Sequence, residues 1–529
     1  MAVATVVVSI LLHRAEPFVR ARIVEELEQH FHAHVELDSF NMSLANGLWA
    51  EGKGLRIWPP GQAAASAPII RLAEFRFHGP LHYAPGRPLH ISLVELKGLD
   101  VDLPPGARFN HLSGRAPGAG RPNAGAALLE FQVDNIECTG ARLTLETDKP
   151  GKLPLIFVIE RLQDTGVSRE GAMGFQAELT NPRPVGIIYT KGSFGPWVVD
   201  DPRATPITGE YRFEHADLSS FKGIAGILSS TGSYHGVLRD LTVDGETDTP
   251  DFRLTHFGNA LPLRTRFHAT VDATNGNTRL DPVDATLGHS HLIARGEVVH
   301  VAPVQDGANG ARPGGHQINL NVKVDRGRIE DFLRLAGNSA TPLLTGALTM
   351  NTTLDIPPGP APVHQRLQMK GSFMLDGAQF TSRKMQDRIN ELSLRGQGKP
   401  GDVKNAQTGQ TGSPIQSTMQ GSFQIANGVV TLPSIEYTVP GAQIHLKGKY
   451  GEQGDALNFT GTARMQATVS QMVGGWKGLL LKPLDRYFEK GGAGTEVPIH
   501  IGGTRENPDF GIDFDRMKTT SPQRPGEPQ

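Results

Sequence analysis

Few residues in this 529-residue chain have the type and spacing that chemistry needs. Gly47 opens GLWAEGKG, which imitates a phosphate-binding loop as far as Lys53. Gly54 then stands where such a loop needs Ser or Thr, and strand-like residues follow instead of a helix. GQGKPG at Gly396 has dinucleotide-type glycine spacing, but no helix opens there, so it reads as a turn. His289 and His291, two apart on a strand, share a face and lack a third ligand, which makes them a polar-face pair. His30, His32 and His34 sit at the end of a helix, where a spacing of two spreads them around it. Asp100 and Asp102 fall on the wet face of a strand, and Asp248 and Asp251 flank a Thr-Pro-Asp turn. Cys138 is the only cysteine, so no intramolecular disulfide forms and a cysteine-coordinated zinc is disfavoured. Neither GxSxG nor HExxH occurs. The expectation is a protein that is not an enzyme, with no cofactor and no metal.

The balance of charge points the same way. Lys and Arg total 52 against 54 Asp and Glu, a net charge of −2, which gives no electrostatic footprint for nucleic acid. Gly (62) and Pro (38) are abundant but fall between short apolar runs, as turns do. With aromatics at 6%, the interior is built mainly of aliphatic side chains.

The elements that would carry any site are strands. In the stretch from Gly232 to Val299, Leu263, Thr265, Phe267, Ala269 and Val271 alternate with Arg264, Arg266 and His268. Leu292, Ala294, Gly296 and Val298 alternate with Ile293, Arg295 and Glu297, and Asn275-Gly276 between the two runs signals a hairpin. The same period of two sets Leu129, Phe131 and Val133 against Glu130, Gln132 and Asp134. It sets Leu320 and Val322 against Asn321 and Lys323, and Ile444 and Leu446 against His445 and Lys447. This predicts an all-β chain, β-dominated with a few helices, in which a series of hairpins makes one apolar and one wet face. About 25 strands spaced at about 4.8 Å would make an elongated sheet of roughly 120 Å. Such a face either curls on itself or is covered by something apolar, because exposing it costs about 25 cal/mol per Å².

Helical spacing is confined to a few segments. MAVATVVVSILL supplies 12 residues where a membrane span needs about 20. It reads as part of an anchor, as a signal-peptide core or as a buried helix. The segment after it has helical spacing at Phe18, Ile23, Leu27 and Phe31 and would lie on a membrane or plug the end of a sheet. A short helix before a glycine-marked strand pair recurs at DLSSFKGIAGILSS, RIEDFLRLAG and VSQMVGGWKGLLLKPLDRYF. The last is either an interfacial helix, with Trp476 and Leu480 toward the membrane, or a cover for the end of the sheet. GSFMLDGAQF at Gly371 and GSFQIANGVVTL at Gly421 echo one another. Pro104–Ala127, Ala302–His316, Pro357–Pro362 and Gly396–Pro414 read as loops.

The ending GTEVPIHIGGTRENPDFGIDF, the block GSYHGVLRDLTVDGETDTPDFRL and the opening VELDSFNMSLANGLWAEGKGLRI resemble the AsmA family of bacterial envelope proteins. That resemblance, carried by glycines and by Pro-Asp-Phe turns, implies kinship with bridge-like lipid transfer proteins built of repeating β-groove units. It implies a curved sheet with an open hydrophobic groove, an inner-membrane anchor, bulk in the periplasm, and phospholipid carried between inner and outer membranes. The implied partners are phospholipids, the inner membrane through the N-terminus, and the outer membrane or a partner protein at the C-terminal end. Residues 1–34 are read as the anchor helix, 35–300 as a first groove region and 301–316 as a loop. Residues 317–514 are read as an AsmA-like groove region with a helix near 469–490, and 515–529 as a disordered tail. Groove lining is expected from Leu129, Phe131, Val133, Phe267, Val271, Leu292, Val298, Leu320, Val322, Ile444, Leu446 and Phe459. Membrane contact is expected from Val6, Val8, Leu11, Leu12, Trp476 and Leu480. The rival reading is a non-enzymatic assembly factor or scaffold that holds outer-membrane proteins by strand addition.

Overall fold

The computed structural model describes residues 33–512 apart from 44–47, 59–66, 80–88, 104–130, 147–153, 168–170, 302–313, 404–414, 451–455, 474–481, 483–493, 505–507 and a few single positions, together with part of 17–28. The fold is β-dominated, with 25 strands in one open, mainly antiparallel sheet and few helices. The first nine strands are β1 (Val35–Glu36), β2 (Ser39–Ser43), β3 (Leu48–Ile57), β4 (Ile70–Gly79), β5 (Leu89–Leu103), β6 (Phe131–Leu145), β7 (Leu155–Val167), β8 (Met173–Pro182) and β9 (Val185–Phe194). Then come β10 (Pro206–Asp217), β11 (Ile224–Ala225), β12 (Ile227–Val237), β13 (Asp240–Leu254), β14 (Ala260–Asp272), β15 (Asn277–Leu287), β16 (Ser290–Val301), β17 (Gly315–Arg328) and β18 (Leu344–Ile356). The last seven are β19 (Gln368–Phe380), β20 (Thr418–Ala426), β21 (Val429–Val439), β22 (Ala442–Tyr450), β23 (Leu457–Met465), β24 (Thr495–Gly503) and β25 (Pro508–Ile512). Four helices are described among them: α1 (Ile329–Leu335), α2 (Val363–Arg366), α3 (Arg383–Gly396) and α4 (Val469–Val473).

The chain divides into two compact units. Unit 1 comprises Met1–Ser220, Ile227–Thr247 and His268–Gly276; unit 2 comprises Phe221–Gly226, Asp248–Phe267 and Asn277–Gln529. The division passes through β13 and β14, and β15 and β16 belong to unit 2.

In unit 1 the ladder runs from β3 to β10, each strand paired with its sequence neighbour, with β1 and β2 side by side on the outer edge of β3. One pair departs from the expected hairpins: β5 and β6 run parallel. A parallel pair needs a crossover of about a dozen residues or more, and the connection 104–130 has that length. Leu37, Phe40, Ala50, Leu72 and Phe75 form a buried cluster, and Ile23 and Val24 of the N-terminal helical segment pack against it. Leu72 and Phe75, three apart on β4, are both buried, so the alternation slips by one residue between them. On the neighbouring strands Gly54 and Gly98 take φ of 68° and 62° there, the left-handed region that a side chain avoids.

In unit 2 the ladder from β15 to β25 is antiparallel throughout. Its core lies at one end of the strands. There Val324, Leu348, Leu375, Tyr437, Ile444 and Met465 are buried beneath Ile329, Phe332 and Leu333 of α1, Ile389 and Leu392 of α3, and Met472 of α4. Ser382 caps α3 by accepting a hydrogen bond from the Met385 N–H. The echoed GSF segments turn out to be partners: Gly371 faces Phe423, Ser372 faces Ser422 and Phe373 faces Gly421. A Cβ on Gly421 would come within 3.2 Å of the Phe373 ring, so that glycine leaves room for the aromatic opposite.

Three expectations are corrected. DLSSFKGIAGILSS makes no α-helix; Leu218–Ser220 is a single 3₁₀ turn and β11 and β12 follow. The Asp217 carboxylate accepts from the Ser219 N–H, closing a local turn, and Gly223 and Gly226 at φ 109° and 138° break any helix. Thr249-Pro250-Asp251 is not a turn but lies within β13, with Thr249 buried against Gly226. Helix α3 is an element that the sequence reading passes over, and Gly396 closes it. Asn275-Gly276 does turn the chain, with both amides donating to the Asp272 carbonyl. Among the described residues no helix is long and apolar enough to cross a membrane.

Candidate functional site

The residues that imitate catalytic motifs are absorbed into the fold. Gly47 lies outside the described residues, and Leu48 to Gly54 lie on β3, where Lys53 pairs with Glu51 at 3.2 Å. The segment at Gly396 ends α3 and turns away, with the Lys399 N–H returning to the Leu394 carbonyl. Asp100 and Asp102 share Arg71, at 2.8 and 2.6 Å. Asp248 pairs with Arg264 and Asp251 with Arg253. His291 sits between Asp325 (2.8 Å) and Asp284 (3.1 Å), and these hydrogen bonds hold its pKa above the ordinary histidine value. His34 lies 3.4 Å from both Glu28 and Glu36, while His30 and His32 are outside the described residues. Among the described residues no group of His, Cys, Asp and Glu is arranged to hold a metal ion.

What remains is the apolar face. Residues directly opposed in a ladder share a face, so the strand registers can be followed across unit 2. One row runs Ala285, Leu292, Val324, Met350, Phe373, Gly421, Ile435, Leu446, Gly461, Ile499 and Ile512. Toward the helices, Leu348, Leu375, Met419, Tyr437, Ile444, Ala463 and Val497 make another. Away from them a third runs Leu280, Gly296, Leu320, Leu354, Met369, Ile425, Val430, Tyr450 and Leu457.

Burial grades across these rows. In the row nearest the helices five of seven side chains are buried, whereas every member of the third row is half-buried. Side chains facing a second packed layer are fully buried, so the helices cover one end of the face; away from them the third row is only partly buried, although Phe423 and Ile356 on the same face are buried. Nine strands in the third row place its ends about 38 Å apart at about 4.8 Å per strand. The opposite face carries Arg295, Asn321, Lys323, Asn351, Thr353, Lys370 and Ser372, which line a shallow depression of about 680 Å³.

Unit 1 has rows of the same kind. Phe40, Gly52, Phe75, Leu96, Cys138, Leu162, Ala177, Thr190, Tyr211 and Gly232 share one row. Beside it run Met42, Ala50, Phe77, Val94, Ile136, Asp164, Phe175, Gly192, Gly209 and Tyr234. Burial pushes the Tyr211 and Tyr234 hydroxyls up in pKa; each is satisfied, by Ser230 at 3.1 Å and Thr190 at 2.7 Å.

The expected lining residues divide accordingly. Leu292, Leu446, Leu320, Val322, Val298, Ile444 and Phe459 all lie on the apolar face of unit 2; Ile444 is buried under the helices and the others are half-buried. Phe267 (unit 2) and Val271 (unit 1) are half-buried on β14. Phe131 opposes Leu89 on β6. Val133 falls with Asn135 and Glu137, on the face opposite Ile136 and Cys138. The alternation at the start of β6 is thus out of phase with the rest of the strand, because residues near a strand end are weakly constrained by burial. Leu129, Val6, Val8, Leu11, Leu12, Trp476 and Leu480 lie outside the described residues. Met350, Phe373, Leu354, Met369, Ile425 and Val430 also line the face; the paired GSF segments are the signal that points to Phe373. Comparison with known proteins finds no match, whether to a family model, a curated protein or a solved structure.

Proposed function

We propose that this chain is a non-enzymatic carrier that shelters phospholipid acyl chains on the apolar face of its sheet. Following the AsmA resemblance, its setting is a bacterial envelope, anchored at the inner membrane with the bulk in the periplasm, where it passes lipid between inner and outer membranes. The observation that carries this reading is the third row of unit 2, nine consecutive apolar or glycine positions of which none is fully buried. Exposed aliphatic surface of that extent favours an apolar occupant, and acyl chains gain about 0.8 kcal/mol per buried CH₂. Headgroups left in water keep their solvation. Gly296, Gly371, Gly421, Gly448 and Gly461 interleave with the larger side chains and keep the surface shallow. Movement along such a surface needs similar affinity from row to row, and no bond is made or broken.

The test is a charge in the open row. Leu320→Asp with Leu354→Asp places two carboxylates on adjacent strands of that row. Uptake of a pyrene-labelled phospholipid from vesicles should fall at least about tenfold, equivalent to about 1.4 kcal/mol, with circular dichroism unchanged. The control Asn321→Asp, on the other face, should take up lipid normally. Undiminished uptake by a folded double variant would overturn the proposal.

A further inference from the structure

We propose that Asp164 of unit 1 is a headgroup-binding residue that selects lipids bearing a primary ammonium group. This rests on the carrier reading above and adds a lipid class to it. Asp164 is opposed by Ile136 on β6 and by Phe175 on β8, in a row otherwise made of Met42, Ala50, Phe77, Val94, two glycines and Tyr234. It is the one carboxylate in that row. The adjacent wet face of the same strand carries Gln163, opposite Glu137 and Gln176, so Asp164 is on the apolar side by register and not by a local twist.

Among the described residues no cation or hydrogen-bond donor is paired with it, whereas Asp100 and Asp102, on the wet face of β5 in the same unit, share Arg71. The charged neighbour that parity places on its side of β6 is Asp134, of the same sign. Burial raises the Asp164 pKa, and by register Asp164 lies diagonally across from the buried Cys138, whose direct partner is Leu162.

Position along the strand fits a headgroup. Asp164 is three residues from the end of β7 at Val167, and Phe175 is the third residue of β8. Gly192, two residues from the end of β9, and Gly209 extend the row without side chains. A headgroup at this rim would send its tails over Leu162 and Ala177, then over Ile159, Leu179, Ile188 and Phe213. A primary ammonium donates hydrogen bonds to a carboxylate; a quaternary ammonium has no N–H to donate, and an anionic glycerol headgroup is repelled.

The full chain is incubated with vesicles of phosphatidylethanolamine, phosphatidylglycerol and phosphatidylcholine in equal amounts with identical acyl chains. It is then repurified, and the bound lipid is extracted and quantified by mass spectrometry. The native chain should hold phosphatidylethanolamine about fivefold over each of the others, the scale of one partly exposed ion pair. Asp164→Asn should bring the three lipids to parity with total lipid per chain unchanged. Gln163→Glu, adding a charge on the opposite face, should leave the native preference intact. Equal lipid ratios in the native chain, or a preference that survives Asp164→Asn, would overturn the inference and leave the carrier reading standing. Absence of all three lipids from the native chain would overturn both.

Discussion

His291 illustrates how polar side chains are organised on the wet face. As an imidazolium, its Nδ1 donates to Asp325 and its Nε2 to Asp284, and a pKa held above about 6.5 means the protonated ring is favoured in the folded chain. A raised histidine contributes stability that is fully present below the unfolded pKa and is lost as pH rises through the folded one. The melting temperature of His291→Gln should therefore fall below that of the native chain most at pH 6 and converge with it by pH 9. A difference independent of pH would contradict the assignment. That the histidine lies on a polar face is legible from its spacing, but its partners are 7 and 34 residues away and become visible only once strand register is known. Asp331 is less legible still. It is 1% exposed and accepts from the His289 N–H and the Ser290 hydroxyl, fastening α1 to the turn between β15 and β16, although in sequence it reads as one acid of an amphipathic helix.

Among the elements, the strands are legible because burial enforces a period of two, and the short helices are not. Met385, Ile389 and Leu392 do recur at helical spacing after Ser382, but the glycines and prolines that follow make the segment look like part of a loop. Gly396 is fixed by packing: a Cβ there would stand 2.4 Å from the carbonyl oxygen of Gly441, while its own carbonyl accepts from the Ala467 N–H. Gly396→Val should destabilise unit 2 by about 1–3 kcal/mol, as overpacking does, and lower its urea midpoint. An unchanged midpoint would show that α3 is free to shift away from the hairpin between β21 and β22. The parallel pairing of β5 with β6 cannot be read from either strand, since each has the same pattern it would show in a hairpin; the long connection between them is the one hint.

At the scale of the molecule, the all-β class follows from composition and alternation, whereas the division into two units does not. It passes through β13 and β14, where no glycine- or proline-rich linker marks a boundary. The apolar face itself is legible residue by residue; its gradient from covered to half-exposed depends on where α1, α3 and α4 come to rest. The central claim is that hydrocarbon, and not protein, completes the open part of that face. Phosphorus analysis of an organic-solvent extract of the chain, purified from a membrane-containing source without detergent, tests it most directly. The account predicts phospholipid in at least stoichiometric amount that diminishes in Leu320→Asp/Leu354→Asp, and a native chain that is folded and free of lipid would contradict it.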